Sequence, residues 1–186
     1  ILLLEDSVSD AALIDAELQR QNFVFHLIHA ATESDYRKAL SGPVDIVLSD
    51  YQLPAFDAPH ALEILKETKL DIPFIVISGV IDTERAIAIM REGATDYLFK
   101  DQLARMAPII RRALEEKDVK RKMQAAEHAK AAMEARYRRL VENMQEGLLL
   151  VDPEFHISYV NPRMAHLMGL EPADMLGQSF FGFIGI

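Results

Sequence analysis

Five short apolar runs, rich in branched and aromatic side chains, alternate with stretches of helical periodicity over the first hundred residues. That alternation leaves few architectures open. The runs are Ile1–Leu4, Phe23–Ile28, Val44–Ser49, Pro73–Ser78 and Thr95–Phe99. Short, nearly continuous apolar runs suit strands covered on both faces. Between them, about Ser9 to Gln21 places Leu13, Ile14 and Leu18 on one side, and a second helical stretch covers Ser34–Leu40. Residues 57–69 form a third with Leu62 and Leu65 inward, and Asp82–Glu92 a fourth, closed by Gly93 as its cap. Strands that alternate with helices predict an α/β fold, a doubly wound five-stranded parallel sheet with right-handed crossovers.

In such a sheet, ligands bind beyond the carboxyl ends of the strands. The first run ends in Glu5-Asp6, the third in Asp50, the fourth in Ser78 and the fifth in Lys100. Three carboxylates, a hydroxyl and an ammonium thus converge on one edge. Carboxylates a few ångströms apart repel by about 1 to 4 kcal/mol per pair. A divalent cation offsets that repulsion, and an all-oxygen donor set suits Mg2+. Metal and ammonium together neutralise phosphoryl oxygens while a carboxylate attacks phosphorus. An isolated Asp after a strand is ordinarily a helix cap or turn former. The coincidence at four strand ends favours chemistry.

These residues carry a resemblance. Leu2-Leu-Leu-Glu5-Asp6-Ser, Asp45-Ile-Val-Leu-Ser-Asp50-Tyr-Gln-Leu-Pro54, Ile75-Val-Ile-Ser78-Gly and Gly93-Ala-Thr-Asp-Tyr97-Leu-Phe-Lys100 make residues 1–118 similar to a response-regulator receiver domain of two-component systems. The resemblance implies a flavodoxin-like fold. Asp50 resembles the phosphoacceptor, phosphorylated by the phosphohistidine of a histidine kinase or phosphotransfer protein. Asp6 and Asp50 would ligate Mg2+, with the main-chain carbonyl of Gln52 as a third ligand and Glu5 acting through water. Ser78 matches the switch hydroxyl, Lys100 its cationic partner and Tyr97 the switch aromatic. Gln52 and Val80 fall at the two positions that influence hydrolysis of the acyl phosphate. Because Val80 cannot orient a water by hydrogen bonding, slow self-dephosphorylation is expected.

Two departures stand out. Glu5 replaces the commoner Asp, and Asp101 follows Lys100 where the family usually has Pro, so the loop leaving the site is expected to take another path. An aspartate-nucleophile hydrolase usually places Asp-x-Asp after the first strand, whereas here that strand ends in Glu5-Asp6-Ser7. A phosphate-binding flavodoxin-like module lacks support because no glycine-rich loop follows the first strand.

From Gln102 to Met144 the chain reads as one long helix without Gly, its only Pro being Pro108. Leu103, Ala107, Ile110 and Leu114 would pack on the sheet. After a step of five, Val119, Met123, Ala126, Lys130, Met133, Tyr137, Leu140 and Met144 repeat at alternating spacings of four and three, a heptad pattern. This predicts that the helix hands over from its own domain to a partner helix in a parallel homodimer. A helix solvated along its length is the simpler alternative. The formal charge of −9 divides into −10 over residues 1–101, +6 over 102–140 and −5 over 141–186. The basic middle block interleaves Arg and Lys with Glu and has one aromatic residue, Tyr137. It reads as a solvated coil surface, so no nucleic-acid partner is expected. His128 lacks the surroundings of a kinase phosphoacceptor and reads as a surface residue.

Beyond the helix, Glu146–Pro153 and Phe155–Pro162 form a hairpin around Asp152-Pro153, and two short helical segments follow, the first ending at Gly169. With Asn161 after the second strand and the Leu176-Gly177 step, this order is similar to the first half of a PAS sensor domain, a partial α+β unit. A further helix and three strands would complete it, and the apolar stretch from Phe180 is expected to lie against them. The domains expected are a receiver at 1–118, a linker helix at 102–144 overlapping its last helix, and a partial PAS domain at 145–186. With no cysteine, disulfides, thiolate chemistry and flavin-adduct light sensing are excluded. No apolar run reaches the roughly 18 residues of a membrane span, and a cytoplasmic setting is expected. The chain, starting without Met, reads as the N-terminal part of a longer signalling protein whose output domain, a histidine kinase or a cyclic-dinucleotide enzyme among the candidates, would lie past residue 186. A phosphorelay function is expected, with a non-phosphorylated scaffold as the alternative.

Overall fold

The computed structural model describes residues 1–54, 56–79 and 82–184. Residues 1–122 form one compact unit, and the chain from Met123 forms a second. The first unit runs β1 (Leu2–Leu4), α1 (Val8–Arg20), β2 (Ile28–Ala30), α2 (Glu33–Leu40), β3 (Val47–Asp50), α3 (Ala58–Glu67), β4 (Phe74–Ser78), α4 (Thr83–Arg91) and β5 (Asp96–Phe99). A 3-10 segment, Lys100–Arg105, then leads into α5 (Met106–Glu142). All strand pairs are parallel, in the order β2-β1-β3-β4-β5.

Period-two alternation divides the strands between two cores. Leu2, Leu4, Val47, Phe74 and Val76 face one cluster, which α2, α3 and α4 cover with Tyr36, Leu40, Leu62, Leu65 and Ile89. Leu3, Leu48, Ile75, Ile77 and Leu98 face the other, covered by Ala11, Ile14 and Leu18 of α1 and by Met106, Ala107, Ile110 and Ala113 of α5. With both faces covered, β1, β3 and β4 carry no polar residue before their carboxyl ends except Ser49. Each early helix opens on a side-chain cap: Ser7, Thr32, Asp57 and Asp82 accept the backbone N–H of Asp10, Asp35, His60 and Arg85. Gly93, at φ 107, closes α4 as the sequence predicts.

Three local expectations are corrected. The second strand is Ile28–Ala30 and not Phe23–Ile28. Phe23, Phe25 and Leu27 pack against the second cluster while Val24 is 98% exposed, so this run packs on the core before pairing starts with the bond from Ile28 N–H to the Ile1 carbonyl, 2.9 Å. Leu13 is exposed and Ala11 takes the inward place, because Ile14 and Leu18 define a stripe that Ala11 joins at a spacing of three. Finally, the long helix does not start at Gln102. That residue has φ −117 and ψ 25, and α-helix begins only at Met106. Pro108 lies in the first turn, where its missing N–H costs no bond.

The second unit holds the rest of α5 and the antiparallel pair β6 (Leu149–Val151) and β7 (Ile157–Val160), followed by α6 (Pro162–Met168), α7 (Pro172–Met175) and α8 (Phe181–Ile184). Asp152 organises the hairpin turn, accepting from the N–H of Glu154 at 3.0 Å and of His156 at 2.8 Å, and Phe155 takes φ 63. Gly169 and Gly177 adopt φ 68 and 75 at the ends of α6 and just past α7. The small core is Ile157, Val160, Ala165 and Met175. Phe180 and Phe183 pack against it, so the aromatic stretch expected to need further structure contacts its own unit.

Candidate functional site

The carboxyl edge of the sheet gathers the residues read from the sequence. Glu5 and Asp6 follow β1, Asp50 ends β3, Ser78 ends β4, and Lys100 follows β5 at the head of the 3-10 segment. Glu5, Asp6 and Asp50 place ligand oxygens within 4.8 Å of one another. Asp50, Gln52, Ser78, Tyr97 and Lys100 line one cleft of about 250 Å3. Val80 lies outside the described residues.

Lys100 is the electrostatic centre. Its Nζ donates to Glu5 Oε2 at 2.8 Å, to Asp50 Oδ2 at 2.9 Å and to Asp10 Oδ2. Burial works to lower the ammonium, but the hydrogen bonds to Asp10, Glu5 and Asp50 outweigh it and the net shift is upward. Glu5 is 1% exposed; burial pushes its carboxyl up, while Lys100 and the Ser7 N–H pull it back. Bonding to Lys100 holds Asp10 below the usual carboxylate range. The Glu5 carbonyl accepts from His29 Nε2 at 2.6 Å, which fixes the proton on that nitrogen and ties the end of β1 to β2.

Among the residues of the cleft that sequence reasoning did not assign to it are Asp10 and Arg85. Asp10 sits in the first turn of α1, where an acidic residue is the ordinary partner of the helix dipole. Nothing in its spacing distinguishes that role from contact with Lys100, 90 positions away. Arg85 of α4 lines the cleft, stacks over the Tyr51 ring at 5.4 Å and pairs with Asp82 at 3.0 Å. Its only sequence signal was the Asp82 cap three residues earlier. Tyr97 is partly buried, its ring edge-on to Phe99 at 5.3 Å.

On α5 the expected seam residues Val119, Met123, Ala126, Met133 and Leu140 are all exposed in the single chain. In the second unit, Asn161 is fully buried and caps α6, accepting the Met164 N–H at 2.8 Å. It also accepts the Leu148 N–H and donates to the carbonyls of Val141 and Glu146, at 2.9, 3.1 and 3.0 Å.

A doubly wound 2-1-3-4-5 sheet with an acidic cluster and a lysine at its carboxyl edge places the molecule in the flavodoxin-like α/β class, whose ligands bind at that edge. The chain belongs to the response regulator receiver domain family, which matches residues 1–107, and a PAS domain match covers residues 135–185. It is 31% identical over 119 residues to "Response regulator ArlR" of Staphylococcus saprophyticus, covering 60% of this chain and 52% of that protein. It is likewise 31% identical over 122 residues to "Sensor kinase CckA" of Brucella abortus, covering 63% of this chain and 13% of the kinase. The chain therefore spans about half the length of the first relative and a small part of the second. Among solved structures, a receiver domain from Clostridium thermocellum superposes with a TM-score of 0.57 at 22% identity, covering 63% of this chain and 95% of that one. The N-terminal domain of a response regulator/sensory box/GGDEF three-domain protein from Carboxydothermus hydrogenoformans gives 0.56 at 19%, covering 64% and 96%. These likenesses concern the fold. Among the described residues, no helix is long and apolar enough to cross a membrane.

Proposed function

We propose that the receiver accepts a phosphoryl group on Asp50 from the phosphohistidine of a histidine kinase or phosphotransfer protein. The observation that carries this reading is the convergence of Glu5, Asp6 and Asp50 within 4.8 Å, with Lys100 bonded to two of them. The donor set is all oxygen and carries an excess of negative charge, which fits Mg2+. Asp6 and Asp50, the Gln52 carbonyl, and Glu5 through water would hold the ion. When bound, Mg2+ neutralises phosphoryl oxygens. An Asp50 carboxylate oxygen attacks phosphorus, the P–N bond breaks with its electron pair left on the imidazole nitrogen, and an acyl phosphate forms. Lys100 and the Ser78 hydroxyl bond the phosphoryl oxygens, and Tyr97 turns inward as Ser78 moves, altering the α4-β5-α5 face. Hydrolysis is slow because a valine side chain, as at position 80, cannot orient a water by hydrogen bonding; a phosphoryl lifetime of seconds or less contradicts that statement.

Val119, Met123, Ala126, Met133 and Leu140 form the seam of a parallel homodimer through which α5 passes the change onward. The domains are a receiver at 1–118, the linker helix at 102–144 and a partial PAS domain at 145–186. Beryllofluoride with Mg2+ imitates the phosphoryl group and tests the reading. It raises the melting temperature of the wild type and leaves Asp50→Asn unmoved; a wild type that does not respond favours a scaffold that is never phosphorylated.

A further inference from the structure

We propose that Asp10 is a positioning residue that holds one N–H of Lys100 in the resting receiver and yields it to a phosphoryl oxygen on Asp50. This inference rests on the phosphoacceptor reading of Asp50. An ammonium has three donors. All three are engaged here, by Glu5 Oε2 at 2.8 Å, Asp50 Oδ2 at 2.9 Å and Asp10 Oδ2. Phosphorylation consumes the Asp50 carboxylate itself, so the phosphoryl oxygens inherit the donor that Asp50 held and gain a further N–H of Lys100 only by replacing Glu5 or Asp10.

The two remaining carboxylates, Glu5 and Asp10, differ in how readily they let go. The Glu5 side chain is 1% exposed and that of Asp10 36%. A carboxylate released inside the protein loses its partner without regaining water, whereas one at the rim is rehydrated. Asp10 is thus the exchangeable partner. Its position assists the exchange, because the first turn of α1 favours a negative charge after the ammonium has gone. The α1 cap is made by the Asp10 backbone, whose N–H donates to Ser7 Oγ at 3.3 Å, so the carboxylate itself is not needed to start the helix.

Charge gives this arrangement a signature. Asp10 adds a further negative charge to an edge that already holds Glu5, Asp6 and Asp50, and it competes for the one lysine among them. It favours a bound divalent cation and opposes a bound anion. Asn in its place removes the charge while keeping size and hydrogen bonding. A merely structural residue would weaken both ligands together.

The experiment uses the full chain as wild type, Asp10→Asn and Asp50→Asn. Mg2+ is titrated alone, then beryllofluoride is titrated at saturating Mg2+, each followed by the change in tyrosine fluorescence, to which Tyr51 and Tyr97 beside the cleft contribute among the five tyrosines of the chain. Asp10→Asn is expected to bind Mg2+ about fourfold more weakly and beryllofluoride about fourfold more tightly, as expected for one charge several ångströms away. Equal affinities in wild type and Asp10→Asn, or two affinities that fall together, overturn the role of Asp10 while a wild-type response that Asp50→Asn lacks keeps the phosphoacceptor reading intact. A wild type blind to beryllofluoride overturns both.

Discussion

At Lys100 one ammonium offsets carboxylates brought from β1, α1 and β3, so its removal leaves charges of one sign facing each other across a partly buried cleft. Lys100→Met is expected to lower stability by about 2 kcal/mol in the presence of a chelator, with part of the loss restored by Mg2+, which takes over the neutralisation. Urea unfolding with and without the cation checks this; equal losses in both conditions contradict it. Asn161 plays the corresponding part in the second unit, where one buried amide satisfies two N–H groups and two carbonyls from α5, the segment before β6, and α6. Asn161→Ala strands these groups and is expected to cost about 3 kcal/mol, seen as lost amide protection in β6, β7 and α6. Residues such as Asp50 and Lys100 were legible because strand ends mark a known place in a parallel sheet. Asp10 was not, since a first-turn carboxylate looks the same whether it faces solvent or a lysine 90 positions on.

Elements were legible where one physical signal dominated. β1, β4 and β5 start one residue inside their apolar runs and β3 three residues inside its own, because burial on both faces demands such runs. β2 was misplaced because the edge strand is short and half-exposed, while the aromatic residues before it serve packing instead of pairing. The start of α5 shifted because helix propensity is uniform through 102–106, and only the backbone at Gln102 reveals the 3-10 entry. Farther along α5, Val119 is 57%, Met133 75% and Leu140 62% exposed. Exposed apolar residues repeating at heptad spacing suit a second helix better than water. Sedimentation at micromolar concentration is expected to show a dimer, with Met133→Glu and Leu140→Glu together shifting it to monomer; a wild-type monomer would remove the coiled-coil seam.

For the whole molecule, net charge alone was the least informative quantity, and its segregation the most. The acidic first hundred residues contain the Glu5, Asp6 and Asp50 cluster, the basic stretch coincides with α5, and the acidic remainder coincides with the strands and helices of the PAS match. The division into units at Lys122/Met123 falls within α5. No break in composition marks it, because a continuous helix keeps the same helix-forming residues through the boundary. The central claim is that Asp50 takes a phosphoryl group by a Mg2+-assisted transfer. Its most direct test is the intact mass of the full chain after incubation with acetyl phosphate. With Mg2+ the wild type is expected to gain one phosphoryl group, with chelator none, and Asp50→Asn none in either condition. An unmodified wild type in the presence of Mg2+, or an Asp50→Asn variant modified to the same extent, would contradict the account.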